Sequence, residues 1–252
     1  MFADYPQPRD IPALRQLWQE AFQDEDAFLD KFFSTGYHPN RCRVMMKDGL
    51  AAAALYWFDC QWEGKKLAYL YAVATAKAFQ GQGLCRSLME DTHRLLREQG
   101  YAGGILVPGS DSLRKMYEKM GYRNATTIRE ISGTAGQTPY PITEISGVEY
   151  AMLRKEMLPA GGVLQEGASV DFLATYAAFY KSSDCLLCAR KEGDQLIALE
   201  LLGQETHIPG ILRYLGCKEG TFRTPGAGKG FAMFHSFTEG DFAPTYFGHA
   251  FD

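Results

Sequence analysis

The chain has 252 residues, of which 46% are hydrophobic and 22% charged, with a formal net charge of -4. That length suits one large or two modest domains, and the acidic balance leaves no basic stripe for nucleic acid. No basic-then-apolar leader opens the chain, and the apolar run over 50–58 is too short to span a bilayer, so a cytoplasmic protein without a membrane partner is expected.

The first helix reads from Asp10 as cap and Pro12 in its first turn, with Leu14, Leu17, Trp18 and Phe22 at helical spacing. Asp26 to Phe33 continues as a second helical piece, broken at Gly36 and Pro39. Three extended stretches follow, Arg41 to Met46, Leu50 to Asp59 and Lys66 to Thr75, joined by turn signals at Asp48-Gly49 and Glu63-Gly64. Gly83 to Gln99 is a helix stopped by Gly100, Gly104 to Val107 a short strand, Asp111 to Met120 a helix, and Tyr122 to Ile131 a strand. The Gly- and Pro-rich stretch Gly133 to Pro141 reads as a linker. Beyond it, Val148 to Leu158 and Val170 to Tyr180 read as helices, and Asp184 to Arg190 with Gln195 to Leu202 as a hairpin. Ile208 to Leu215 reads as a short helix, with strands at Phe231 to Phe237 and Thr245 to Phe251. This second half is a shortened echo of the first.

Six cysteines are scattered along the chain and read as reduced thiols. Cys185 and Cys188 have CxxC spacing, but on a strand they point to opposite faces and no second pair follows, so no metal is expected. Pro225 to Gly230 lacks the Ser/Thr and the helix of a phosphate loop and reads as a turn between strands.

The chemistry concentrates after the third strand, in Gln80-Gly81-Gln82-Gly83-Leu84-Cys85. A strand enters a glycine-bearing turn that opens onto a helix, whose first N–H groups are unpaired and carry partial positive charge, the requirements of a phosphate site. Gly81 and Gly83 let backbone approach a ligand closely. The string is neither a dinucleotide fingerprint nor a Walker loop. Taken alone, it fits a tight connection without a ligand equally well.

Gln80-x-x-Gly83-x-Cys85 resembles the Q/R-x-x-G-x-G/A signature of the GCN5-related N-acetyltransferase (GNAT) superfamily, with Cys85 where the family has Gly or Ala. Downstream, the run from Ser110 through Tyr117 to Gly121-Tyr122 is similar to the family's N-x-x-A-x-x-L-Y-x-K-x-G-F element, with Ser110 at the usual Asn position. The resemblance covers roughly residues 3–132, and the Ala72-Val73-Ala74-Thr75 run and residues 106–117 look most like the enhanced-intracellular-survival type, which carries a second GNAT-like region. It implies an α/β GNAT fold, a mixed central sheet flanked by helices, followed by a smaller α+β domain as a degenerate GNAT-like copy. The expected division is 1–133 for the acetyl-CoA domain, 134–146 for a linker and 147–252 for a substrate-shaping domain.

The resemblance further implies acetyl-CoA as co-substrate and transfer of its acetyl group to a primary amine of a small molecule or peptide by direct attack. Cofactor contacts are implied at Val73, Ala74, Thr75, Gln80, Gly81, Gln82, Gly83, Leu84, Cys85 and Ser110, with a bulge or splay at Val73 to Thr75 freeing an N–H for the acetyl carbonyl. Tyr117 falls on the family's general acid. The alternative is a non-catalytic acyl-CoA-binding regulatory or accessory module, kept open by Cys85 and Ser110. No base is identified: Asp59, Glu63 and Glu130 stand near strand ends, and Asp252 enters only because the enhanced-intracellular-survival type uses its terminal carboxylate. His249 reads as a satisfied histidine.

Overall fold

The computed structural model describes residues 2–240 and 242–251. It opens with α1 (Ile11–Phe22) and α2 (Asp26–Lys31), the latter running into a π-turn at Phe32–Gly36. Helical spacing puts Leu14, Leu17 and Trp18 on one buried face of α1. The Trp18 ring lies 4.5 Å from Phe32 and 5.3 Å from Tyr56, which seats the helix on the sheet. Asp10 does not cap α1; it accepts the Gln7 N–H at 2.8 Å and closes the 3-10 turn that leads into the helix.

Strands β1 (Cys42–Lys47), β2 (Leu50–Trp62) and β3 (Lys65–Thr75) form an antiparallel meander. Both of its turns place a polar residue and a glycine in the left-handed region, Asp48-Gly49 and Glu63-Gly64, as tight hairpins require. Helix α3 (Leu84–Glu98) then crosses to β4 (Gly103–Leu106), which pairs parallel with β3, and α4 (Asp111–Glu118) leads to β5 (Arg123–Asn124).

The next strands build a second sheet. They are β6 (Thr127–Thr134), β7 (Thr143–Ile145), β9 (Ala178–Lys181), β10 (Cys185–Glu192), β11 (Gln195–Gly203), β12 (Glu219–Pro225) and β13 (Lys229–Gly230). Helices α5 (Gly147–Met157), α6 (Ala168–Leu173) and α7 (Ile208–Leu215) accompany them. Two strands return to the first sheet: β8 (Leu164–Gln165) pairs with β2, and β14 (Met233–Ser236) inserts between β4 and β5.

The two sheets repeat one pattern. In the first, β1, β2 and β3 are antiparallel, β3 and β4 parallel, and β14 antiparallel to β4. In the second, β9, β10 and β11 are antiparallel, β11 and β12 parallel, and β6 antiparallel to β12. The closing strand of each sheet comes from the other half of the chain, so the halves exchange strands. Gly133, expected at the end of the first unit, therefore lies inside β6 of the second sheet.

The crossing point is Thr126, 1% exposed. The Ala125 and Thr126 N–H groups donate to Ala232 O, and Thr126 Oγ1 accepts from Ala232 N–H at 3.0 Å. The single strand expected over Tyr122 to Ile131 is thus two strands in two sheets. Val170 to Tyr180 is not one helix: α6 ends at Leu173, and Ala178–Lys181 extends to pair with β10, partner strands overriding helix-compatible composition. Thr245 to Phe251 forms no strand; one bridge, Gly162 to Tyr246, is its only ladder contact among the described residues. Cys185 and Cys188 do face apart, into different cores. Residues 226–228 are a turn between β12 and β13.

Candidate active site

The loop between β3 and α3 is held open from both ends. The Lys77 N–H donates to Glu20 Oε1 of α1 at 2.5 Å, and Gln80 Nε2 donates back to Thr75 O at 3.2 Å. Gly81 and Gly83 sit at φ 73° and 79°, the left-handed region that turns the chain into the helix. Gln80 N–H bonds Lys77 O and Ser87 N–H bonds Gly83 O, but the amides of 81–86 have no hydrogen-bond partner among the described residues. Sealed from water, each would cost about 1–3 kcal/mol. Gly81 and residues 83–86 instead line a cleft, so the run is an acceptor-seeking surface at a helix N-terminus.

That cleft, about 620 Å³, is lined by Val73, Ala74, Thr75, Gln80, Gly81, Gly83, Leu84, Cys85 and Tyr117 among others. Thr75 Oγ1 is buried there without a partner. Two expected contact residues are not part of that lining: Gln82 Nε2 donates to Ala78 O at 3.3 Å, and Ser110, which lines the neighbouring cleft, caps α4, its Oγ accepting the Leu113 N–H at 3.2 Å. Cys85 is half-buried, and burial pushes its thiol pKa up against the smaller opposing pull of Arg86.

The bulge in β3 stands slightly upstream of its expected place. Between Tyr71 and Ala74 the pairing with β2 gains a residue, and Ala72 adopts φ 49°. On the other side, pairing with β4 stops at Tyr69 opposite Ile105, so the backbone of 70–73 leaves its neighbour and lines a second cleft. A left-handed alanine at the divergence point turns main-chain polar groups away from the ladder.

The second cleft, about 920 Å³, meets the first at Phe22, Val73, Leu113 and Tyr117. Tyr117 is 5% exposed, and its hydroxyl has no hydrogen bond to any described residue. Burial, reinforced by nearby Cys85, raises its pKa above the ordinary 10, so the phenol keeps its proton through the neutral range. Aromatic side chains Trp18, Tyr69, Tyr71 and Phe251 wall the cleft, with Asp24, whose Oδ2 accepts from Trp18 Nε1 at 2.8 Å.

A family model described as an acetyltransferase (GNAT) domain matches residues 4–125. This first half of the chain is thus similar to GNAT acetyltransferase domains. Among solved structures, the chain is similar to a GCN5-related N-acetyltransferase from Kribbella flavida, at 13% identity and TM-score 0.70, covering 92% of this chain and 70% of that one. One from Anabaena variabilis aligns at 15% identity and TM-score 0.70 over 94% and 72% of the two chains. Eis1 from Mycobacterium abscessus aligns at 12% identity and TM-score 0.66 over 94% and 74%. These likenesses extend the GNAT fold across both sheets. No curated protein matches the sequence.

Of the expected carboxylates, Asp59 accepts from Tyr101 O–H and lines neither cleft, Glu130 pairs with Lys229 at 2.7 Å at the edge of the second cleft, which Lys229 lines, and Glu63 sits in the β2–β3 turn. Asp252 lies outside the described residues. Sequence reasoning missed Asp24 and the aromatic wall. Asp24 carried one signal, a carboxylate just past the end of α1, whereas the wall is assembled from three distant segments. Among the described residues no group of three or more His, Cys, Asp or Glu could hold a metal, and no helix is long and apolar enough to cross a membrane.

Proposed function

We propose that the chain transfers the acetyl group of acetyl-CoA to a primary amine by direct attack. One observation carries the reading: the free amide run of 81–86, the Ala72 bulge and the Tyr117 phenol open onto adjoining clefts. Acetyl-CoA supplies the thioester. The amides of 81–86 hold its pyrophosphate by charge-assisted hydrogen bonds, and the glycines keep Cβ atoms out of the way. Backbone N–H at Ala72 and Val73, released from the β4 ladder, polarises the acyl carbonyl. As the new C–N bond forms and the C–S bond breaks, the Tyr117 O–H gives its proton to the departing sulfur. Asp24, in the aromatic cleft, takes the proton lost by the amine, directly or through water.

Calorimetric titration with acetyl-CoA, paired with thiol release over a panel of amines, tests this. Saturable binding with amine-dependent thiol release supports it. Binding without release from any amine leaves a CoA-binding module, and absence of both removes the cofactor as well.

A further inference from the structure

A fully buried polar cluster lies outside the chemistry above. Glu200 of β11 is 0% exposed and paired with Arg154 of α5, whose Nε and Nη2 donate to Oε2 and Oε1 at 2.6 and 2.9 Å. Arg154 Nη1 donates to Val163 O at 3.1 Å, and the Tyr150 hydroxyl donates to Glu200 Oε2 at 2.8 Å. Two further contacts come from the irregular last segment: the Tyr246 hydroxyl donates to Oε1 at 2.9 Å, and His249 Nε2 lies 3.0 Å from Oε2. The Arg154 guanidinium holds the Glu200 carboxyl well below the usual range despite its burial, so the acceptor charge is permanent.

The segment reaches from this anchor into the aromatic cleft. Val163 N–H donates to Tyr246 O at 2.9 Å, Gln165 Nε2 donates to His249 O at 2.9 Å, and Phe251 N–H donates to the Tyr69 hydroxyl at 3.2 Å. Gly248 passes so close that a Cβ there would lie 1.8 Å from Glu200 Oε1. The Phe251 ring then packs 5.2 Å from Tyr69 and 5.3 Å from Tyr71, the residues just before the Ala72 bulge.

We infer that Glu200 is a positioning residue for the amine-side wall: through Tyr246 and His249 it sets Ala250 and Phe251 against β3. The inference rests on the acetyl-transfer reading for the identity of that wall. It makes the second sheet a jig for the first sheet's cleft. A segment with a single ladder bridge has few regular hydrogen bonds of its own, and Tyr246 and His249 tie it to a carboxylate on which four side chains converge.

The test uses Tyr246→Phe, which removes one hydroxyl, and the double variant Arg154→Met with Glu200→Met. Replacing both members of the pair leaves no buried charge unpaired, while Tyr150, Tyr246 and His249 lose their acceptor, so the melting temperature of each variant is read beside its kinetics. Acetyl-CoA affinity by calorimetry should stay within about twofold, the loop being untouched. The amine acetylated fastest among spermidine, phenethylamine and 4-aminobutyrate should show KM raised about tenfold in the double variant and less in Tyr246→Phe, with kcat little changed. Amide exchange at residues 69–73 of the acetyl-CoA-loaded protein should quicken in both. Unchanged KM and unchanged exchange would overturn the inference, as would an equal loss of acetyl-CoA affinity. If the unaltered protein acetylates none of the three amines, that failure belongs to the transfer reading, and the exchange at 69–73 alone decides this one.

Discussion

Each half of the molecule contains the same β-α-β unit, yet only one carries the free amides and the buried phenol on which the proposed chemistry rests. In the first, β3 leads through a loop with two left-handed glycines to α3, whose opening amides are free. In the second, β11 leads through a 3-10 turn at Glu205–His207 to α7, with a proline in its first turn and the Glu205 carboxylate at its entrance, paired with Arg129. A cleft of about 450 Å³ does open beside β11 and β12, but Gln195, Pro209 and Glu219 line it rather than a run of free amides. The first half continues past β4 into α4, which carries Tyr117, whereas past β12 the chain turns directly into β13. The strand pattern repeats, but the loop and the helix that carry the proposed site have no counterpart in the second half.

Four measurements sharpen or break that contrast. The largest effect belongs to Tyr117→Phe, which has no counterpart in the second half. Its kcat should fall about a hundredfold with acetyl-CoA affinity nearly intact, the scale of a lost general acid. Steady-state thiol release and calorimetry read the two separately, and an unchanged kcat would remove Tyr117 from the reaction.

Next comes Gly83→Val. A β-branched residue at φ 79° is strained by about 1–2 kcal/mol, and relief rotates the amides away from the cleft. Acetyl-CoA affinity should drop more than about tenfold while the melting temperature moves little. Retained affinity would mean the loop does not hold the ligand.

A third measurement addresses what the halves share, a buried neutral histidine. Burial holds His93 of α3 down to about 3 from an ordinary 6.5, and burial also lowers His249. The unfolded chain takes up these protons near pH 6.5 and the folded one does not. Stability from these groups is therefore fully present above that pH and declines as pH falls, for His93 down to about 3, by at most about 1.4 kcal/mol per unit for each. Urea denaturation at pH 7.5 and 5 should show the decline, and His93→Gln should flatten it.

The smallest expected effect is Glu205→Ala. Removing this half-exposed partner of Arg129 should change stability by less than about 1 kcal/mol and leave acetyl-CoA affinity as it was. A weakened affinity on calorimetry would show that the second half holds ligand after all.

Much of the first half was legible because its signals are local. Asp48-Gly49 and Glu63-Gly64 announce their turns, α1 its buried stripe, and Gln80 to Cys85 the loop. The bulge was misplaced by a residue or so, since Ala72 has no compositional reason to be left-handed; its conformation comes from the ladders on either side. The strand exchange was invisible for the same reason. Nothing near Thr126 says that the chain changes sheets there, because the partner that decides it, Ala232, is far away in sequence. Asp24, Tyr71 and Phe251 become one wall only after that exchange, and Glu200 reads in sequence as an isolated charge in an apolar strand.

The central claim is that the amides of 81–86 receive the cofactor's phosphates and that the second half's equivalent does not. Amide proton–nitrogen spectra recorded during an acetyl-CoA titration test it residue by residue. Saturable shifts are expected at residues 81–86, with residues 205–210 unmoved. Saturable shifts at 205–210 with 81–86 unmoved would contradict it.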